Sequence, residues 1–280
     1  MIILEAKNIS YTYSKGGPFE KNALYNVSLS IQSGELIGII GHTGSGKSTL
    51  IQHFNALLKP TSGEMFVDGQ STTSPQVNLK ALRTKVGLVF QYPEHQLFEE
   101  TVRKDIGFGP KNMGLSPDDI ENRVIDAIRI VGLHPDILSK SPFEISGGQK
   151  RRVAIAGVLA MKPQVLVLDG PTSGLDPKGR SEILYQIKCM HEEYGLTVIL
   201  VSHGMEDIAN TTERIYVMNN GTIHLQGTPM EIYSHYEELE RIGLSAPQIT
   251  ILMQKLCGVD VYTVEQALDY LLPRLKGGNI

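Results

Sequence analysis

Gly41-His42-Thr43-Gly44-Ser45-Gly46-Lys47-Ser48-Thr49 is the stretch from which the rest of this chain can be read. It fills every specified position of the phosphate-cradling pattern G-x-x-x-x-G-K-[ST]. The flanks agree with it. Glu35 to Ile40 reads as a short buried strand through Leu36, Ile37, Ile39 and Ile40, and Lys47 to Leu58 reads as a helix. A loop between a strand and a helix N-terminus aims backbone N–H groups, and the positive end of the helix dipole, at polyphosphate. Its glycines permit φ > 0 and put no Cβ between backbone and ligand. Lys47 then reaches the terminal phosphates and the Ser48 hydroxyl is a ligand for Mg²⁺. A purely structural glycine turn is the competing reading, and the strand and helix on either side disfavour it.

Composition narrows the field. The chain has 280 residues, ample for a sizeable core, and a net charge of −4, so no global basic footprint for nucleic acid. Cys189 and Cys257 lie far apart without metal-type spacing, which fits a reducing setting. No apolar run approaches the ~18 residues of a membrane span. Met1-Ile2-Ile3-Leu4-Glu5 has no basic region before an apolar core, so no signal peptide is expected.

Residues 2–9 and 24–33 read as strands, joined by a loop that carries Tyr11, Tyr13 and Phe19. An aromatic ring there either stacks on a base or packs on the strands. Glu64 to Asp68 reads as a strand ending on Asp68-Gly69, and Lys85 to Phe90 as another ending at Gln91. From there to about residue 158 the texture is helical. Ser116-Pro117-Asp118-Asp119 has a capping hydroxyl, Pro at the first helical position and acids in the first turn. Ile120, Val124, Ile128 and Val131 follow on one face, and Gly132 marks the end. This reads as a helical insertion. Gln164 to Leu168 reads as a strand whose Val-Leu-Val-Leu run leads into Asp169, and Thr197 to Val201 is the next, ending at Ser202-His203. Asn219-Asn220-Gly221 is a hairpin turn. The last ~50 residues are helical again. Ser245-x-x-Gln248 and Thr263-x-x-Gln266 read as capping boxes, Ile249, Leu252, Met253 and Leu256 as a packing stripe, and Pro273 as a stop or kink.

Open α/β sheets place ligands at the carboxyl ends of their strands. Gln91, Asp169 and His203 should therefore face the same crevice as the phosphate loop. Taken singly, each also has a bland reading as a loop glutamine, a helix cap or a lone histidine. Ser146-Gly147-Gly148-Gln149 opens a helix, and its consecutive glycines form a second anion nest.

Together, from about residue 3 to 230, these elements resemble the ATP-binding-cassette (ABC) ATPases. The resemblance implies an α/β fold: a RecA-like P-loop core with an N-terminal antiparallel β subdomain, an inserted helical subdomain and a C-terminal helical extension. Residues 1–230 would be the nucleotide-binding domain, with the helical subdomain at about 92–158, and residues 231–280 an extension with dimer contacts. In that family Gly41 to Thr49 binds the ATP phosphates, Asp169 holds Mg²⁺ through water, and Gln91 reports on the metal and the membrane partner. Ile145-Ser146-Gly147-Gly148-Gln149 binds the γ-phosphate of ATP held by the opposite subunit. Asp176, within Ser173-Gly174-Leu175-Asp176, matches the loop that communicates across the dimer. His203 matches the γ-phosphate histidine, and Tyr13 the aromatic stacked on adenine.

Gln91-Tyr92-Pro93-Glu94-His95-Gln96-Leu97-Phe98-Glu99-Glu100-Thr101-Val102 and Asp105 to Pro110 are similar to the ATPases of energy-coupling factor (ECF) importers for vitamins and transition-metal ions. Within them the match is to the second of two paralogous subunits. That implies a heterodimer, a membrane T-component docking near Gln91 to Asp105, a substrate-specific S-component, and a peripheral place on the cytoplasmic face of the membrane. Glu94, Glu99, Glu100 and Asp105 supply acidity for basic coupling helices, or are a solvated acidic face.

One position departs from the family. A Glu usually follows the magnesium-strand Asp as general base, and here the run is Leu168-Asp169-Gly170-Pro171-Thr172. Gly170 can accept no proton, so binding should survive and hydrolysis at this chain's own site should be slow. Two other classes compete: an ATP-gated regulatory subunit with little hydrolysis, and a DNA- or ribosome-associated ATPase. The latter is disfavoured by the acidic balance, the single cassette and the short stretch from Gln91 to Ser146 without sustained heptads.

Overall fold

The computed structural model describes residues 1–277. In chain order the strands and helices are β1 (Ile2–Tyr13), β2 (Lys21–Gln32), β3 (Leu36–Gly41), α1 (Lys47–Phe54), β4 (Ser62–Val67), β5 (Gln70–Ser71), α2 (Leu79–Lys85) and β6 (Val86–Val89). The helical stretch follows as α3 (Val102–Met113), α4 (Pro117–Ile130) and α5 (Gly147–Leu159). Then come β7 (Val165–Asp169), α6 (Pro177–Tyr194), β8 (Thr197–Val201), α7 (Met205–Thr211), β9 (Arg214–Asn219) and β10 (Thr222–Gly227). The chain closes with α8 (Pro229–Ser234), α9 (Tyr236–Arg241), α10 (Gln248–Cys257) and α11 (Val264–Gly277).

The strands form two sheets. An antiparallel sheet of four has the order β2-β1-β4-β5, and a sheet of six has the order β10-β9-β3-β8-β7-β6. Within the larger sheet β9, β3, β8, β7 and β6 are parallel, and β10 is an antiparallel edge. The parallel strands are buried on both faces, which is why they read as unbroken apolar runs. Leu36, Ile40, Leu166, Leu168, Val198 and Leu200 point into a core shared with α3 to α6. Ile37, Ile39, Val165, Val167, Ile199 and Val201 point the other way, into a core with α1 and the antiparallel sheet.

Register then sets the site. Asp169 pairs with Val201, Ile39 also pairs with Val201, and Val89 pairs with Leu168. The residues just beyond these ends, Gln91, Gly41 and His203, emerge on one edge of the sheet.

Several sequence expectations need correction. Tyr11 and Tyr13 lie within β1, not in a loop, because the strand continues to pair with β2 as far as Tyr13↔Lys21. The first helix stops at Phe54 rather than Leu58; Ala56 takes φ +53, outside the helical region. Ser245 caps no helix among the described residues: α10 starts at Gln248 with Pro247 before it, and the Gln248 N–H goes to Glu206. Thr263 does accept from the Gln266 N–H at 3.3 Å, while the Gln266 side chain reaches back to the N–H of Tyr262 instead of Thr263. Of the α10 stripe, Met253 is buried, but Leu252 and Leu256 are exposed, because α11 covers only one side. Pro273 neither ends nor splits α11, which runs through it. The end of the expected extension, 278–280, lies outside the described residues.

Candidate functional site at the phosphate loop and the signature helix

The loop from Gly41 to Lys47 is built around close approaches. A Cβ on Gly41 would fall 2.5 Å from the Met218 carbonyl oxygen and from Ser45 Oγ, and Gly46 takes φ +102 with the Ala23 carbonyl 2.8 Å from the site of a Cβ. Only glycine fits such positions. The hairpin between β9 and β10 braces the loop: the Gly221 N–H donates to the Ser45 carbonyl at 3.0 Å. The His42 ring sits between the Thr43 carbonyl at 2.8 Å and the Asn219 side chain at 3.1 Å.

Lys47 folds back over the loop and donates to the carbonyls of Gly41 at 2.7 Å and His42 at 3.0 Å. Burial pushes its ammonium below the ordinary lysine range, against the pull of Asp169. The Ser48 hydroxyl donates to Asp169 Oδ2 at 3.2 Å. Burial raises the Asp169 carboxyl, and the Ser48 bond, Lys47 and His203 oppose the rise. Burial and then Lys47 hold His203 below the ordinary histidine value, so its imidazole is neutral at pH 7.

These groups share one cavity of about 370 Å³, lined by Tyr13, Lys47, Ser48, Gln91, Asp169 and His203 among others. Gly170 also borders it, with φ +60. Tyr13 shares a hydrogen bond with the Thr49 hydroxyl at 3.1 Å and stands edge-on to Tyr11 with ring centroids 4.8 Å apart. Ser48 and Asp169 are hard oxygen donors side by side, with the Gln91 amide on the same cavity, a donor set suited to Mg²⁺. Among the described residues no three His, Cys, Asp or Glu side chains form a metal cage. A cation here would therefore complete its shell with water and phosphate.

The second anion nest is elsewhere. Ser146 caps α5 in a reciprocal box with Gln149, at 3.3 and 3.0 Å. Ser146 and Gly147 are exposed, a Cβ on Gly147 or Gly148 would meet nothing within 4 Å, and none of Ser146 to Gln149 lines the phosphate-loop cavity. This helix N-terminus opens outward, to solvent. Asp176 is likewise exposed and caps α6 by accepting from the Gly179 N–H at 3.0 Å.

The family model described as ABC transporter matches residues 24–173. The energy-coupling factor transporter ATP-binding protein EcfA2 of Caldanaerobacter subterraneus subsp. tengcongensis is 54% identical over 280 residues, covering 98% of this chain and 98% of that protein. The EcfA2 of Clostridium acetobutylicum is 54% identical over 283 residues, covering 99% of each. The chain belongs to the ABC transporter ATPases, in their energy-coupling factor branch.

Solved cassettes of this family have the same architecture. The structure of cbiO1 from Clostridium perfringens, part of the ABC transporter complex cbiONQ, superposes with a TM-score of 0.77 at 39% identity, covering 90% of this chain and 99% of that one. A dimeric cassette in a post-hydrolysis state, bound to ADP and Pi, superposes with a TM-score of 0.72 at 32% identity, covering 81% and 99%. As an ABC ATPase the chain is an ATP-binding and ATP-hydrolysing subunit. No helix among the described residues is long and apolar enough to cross a membrane.

The acids after Gln91 are less free than their charge suggests. Glu94 is bound to Arg151, Glu100 to Lys104, and Asp105 accepts from the N–H groups of Phe98 and Glu99 at 3.3 and 3.1 Å. Beside them lies a cleft of about 670 Å³, walled by Leu97, Phe98, Phe108, Met113 and Met161. Two networks went unread in the sequence. Arg151 is buried, and it lies in Lys150-Arg151-Arg152, which by itself reads as solvated cations. Asp207, also buried, accepts from Arg180 at 2.6 Å and from Thr172 at 2.9 Å, tying the helix after His203 to the segments after Asp169 and Asp176. Lys21, Asn22 and Ala23 join the nucleotide cavity only because β2 lies over the loop.

Proposed function

We propose that this chain is the second ATPase of an ECF importer for vitamins or transition-metal ions. It binds ATP through Gly41 to Thr49 and lends Ser146 to Gln149 to ATP held by a paralogous ATPase. The single observation that carries this reading is the separation of the two nests. One is walled in with Lys47, Asp169 and His203, and the other faces outward on the N-terminus of α5. One chain cannot close both on one triphosphate, so function requires a paired cassette.

Within its own site the Lys47 ammonium would leave the loop carbonyls for the terminal phosphates, as a compact point charge on a long stem. Tyr13 offers its ring to adenine, and neutral His203 can hold a γ-phosphate oxygen or orient water. Ser48, Asp169 and Gln91 would hold Mg²⁺, which when bound neutralises charge on the phosphates. Gly170 supplies no proton acceptor, and that loss alone removes typically ~10²–10⁴ in rate. Asp176 belongs to the surface that meets the partner across the two nucleotides.

The apolar cleft beside Gln96 to Asp105 fits a docking site for coupling helices of a membrane T-component. Glu99 remains without a side-chain partner among the described residues to receive a basic group. The substrate-specific S-component would sit in the same complex, with this chain at the cytoplasmic face of the membrane. Residues 1–230 then act as the cassette and 231–280 as a dimer-forming extension. Gly170 favours a second reading, in which the subunit binds ATP mainly to regulate its partner.

Co-purification from membranes tests the assembly: a paralogous ATPase and an integral T-component should accompany the chain. Recovery of the chain alone, or with DNA or ribosomes, would overturn it. Nucleotide affinity and single-turnover hydrolysis at this site, measured separately, distinguish the two readings.

A further inference from the structure

Arg151 is the largest fully buried side chain among the described residues, and it carries a charge. Its guanidinium donates Nε and Nη2 to the Glu94 carboxylate at 3.1 and 2.7 Å, and Nη1 to the carbonyls of Pro171 at 2.9 Å and Ser173 at 2.7 Å. A buried cation is retained only when paired and hydrogen-bonded, and a planar fork fixes its partners in angle as well as distance. This one joins three places at once. Arg151 stands on α5, two residues after Gln149; Glu94 is three residues after Gln91; Pro171 and Ser173 flank Thr172 just beyond Gly170.

The segment between Tyr92 and Glu99 has few other polar anchors, though Pro93 is buried and Leu97 packs on the core. Among the described residues its side-chain-mediated hydrogen bonds to the rest of the chain are those of Glu94 with Arg151 and those of the Phe98 and Glu99 N–H groups with Asp105. Gln96, Leu97 and Phe98 of the same segment wall the 670 Å³ cleft. A partner pressing into that cleft would bear on the segment, and among the described residues Glu94–Arg151 is its one side-chain hydrogen-bonded pair with α5, beside the apolar packing of Pro93 and Leu97. Burial pushes the Glu94 carboxyl up, but the Arg151 hydrogen bonds, a backbone N–H and the charges of Arg151 and His95 together hold it below the usual carboxylate range.

We propose that the Arg151–Glu94 pair is a positioning latch, through which a membrane partner seated in the cleft sets both the signature helix and the loop after Asp169. The latch rests on the docking reading given above. It makes Arg151 and Glu94 positioning residues: neither lines the nucleotide cavity.

The experiment compares ATP turnover of the ATPase pair alone with that of the pair assembled with its membrane component, for the wild type, Glu94→Ala, Glu94→Gln and Arg151→Lys. Glu94→Ala leaves the two carbonyl bonds of Arg151 in place, so it serves even where Arg151→Lys fails to fold. The expected result is an unchanged ATP affinity, with the effect of the membrane component on turnover reduced about fivefold or more, the lower end of usual coupling between sites. Glu94→Gln, which keeps one hydrogen bond, should recover part of it. A wild type whose turnover ignores the membrane component overturns the docking reading and the latch together. A responsive wild type with an equally responsive Glu94→Ala overturns the latch alone, as does an equal loss of turnover in the free and assembled pair.

Discussion

Gly170 takes φ +60, and a Cβ there would sit 2.9 Å from Ser173 Oγ and 3.6 Å from Gln91 Cγ. A side chain at this position costs about 1–2 kcal/mol in backbone strain, and the Ser173 hydroxyl must rotate away. A carboxylate gained here is worth roughly 3–5 kcal/mol of barrier, at 1.4 per decade of rate. The gain wins. Gly170→Glu is expected to raise hydrolysis by at least about tenfold, read in a pair whose other ATP site is inactivated; unchanged turnover would show that the missing base does not limit the site. Gly170→Ala should carry the strain without the gain, lowering the melting midpoint only. His53 gives a pH prediction. It is buried, its Nδ1 donates to the Thr49 carbonyl at 2.7 Å, and Nε2 has no partner among the described residues. Burial depresses its folded pKa from the ordinary 6.5, against the Thr49 bond. Below pH 6.5 the unfolded chain therefore takes up a proton that the folded one refuses. Stability should be full above that pH and fall as pH drops toward the folded value. Denaturation of His53→Leu across this range should show a flatter dependence, and an identical slope would refute the assignment.

At the scale of elements, two serine caps separate structure from function. Ser116 accepts from the Asp119 N–H at 3.2 Å at the start of α4, and Ser146 from Gln149 at 3.3 Å at the start of α5. Either Ser→Ala change should cost about 1 kcal/mol on denaturant unfolding. Only Ser146→Ala should also lower turnover of the assembled pair, because in the proposed pairing its hydroxyl and freed N–H groups would face the neighbour's phosphate. Equal activity in the two variants would remove the signature from the mechanism. The cap at Ser116 was legible because Pro117 and two acids mark its first turn. Ser245 misled because the three-residue spacing is local, whereas the actual start at Gln248 follows from Pro247 and from Glu206, distant in sequence.

Across the whole molecule, the C-terminal helices leave an apolar stripe open. Val264, Leu268, Leu272 and Leu275 of α11 are 55%, 47%, 46% and 55% exposed, and Leu256 of α10 is 70% exposed. Their spacing of four, four and three residues puts the α11 members on one helical face. Leu268→Glu with Leu272→Glu should leave the folded monomer within about 0.5 kcal/mol of wild type, since both positions are already half exposed. The same pair should weaken ATPase pairing, seen as a larger monomer fraction in sedimentation. Pairing that survives would remove the extension from the interface.

The phosphate loop between β3 and α1, the placing of Asp169 and His203 on one cavity with it, and the exposed cap at Ser146 were legible in the sequence by itself. Each depends on a local pattern: glycines at fixed spacing, an apolar strand ending in an acid, a cap before a helix. The place of Gly170, directly after the apolar strand that ends in Asp169, was legible for the same reason. What only the tertiary structure decided depends on contacts between distant segments. Arg151 reads as one more solvated cation until Glu94 and two loop carbonyls are folded around it. Asp207 has no signal until it meets Arg180 and Thr172, and Tyr13 is set by the pairing of β1 with β2. Spacing along a chain encodes periodicity and caps. Which charge is buried, and by what it is neutralised, is encoded only by packing.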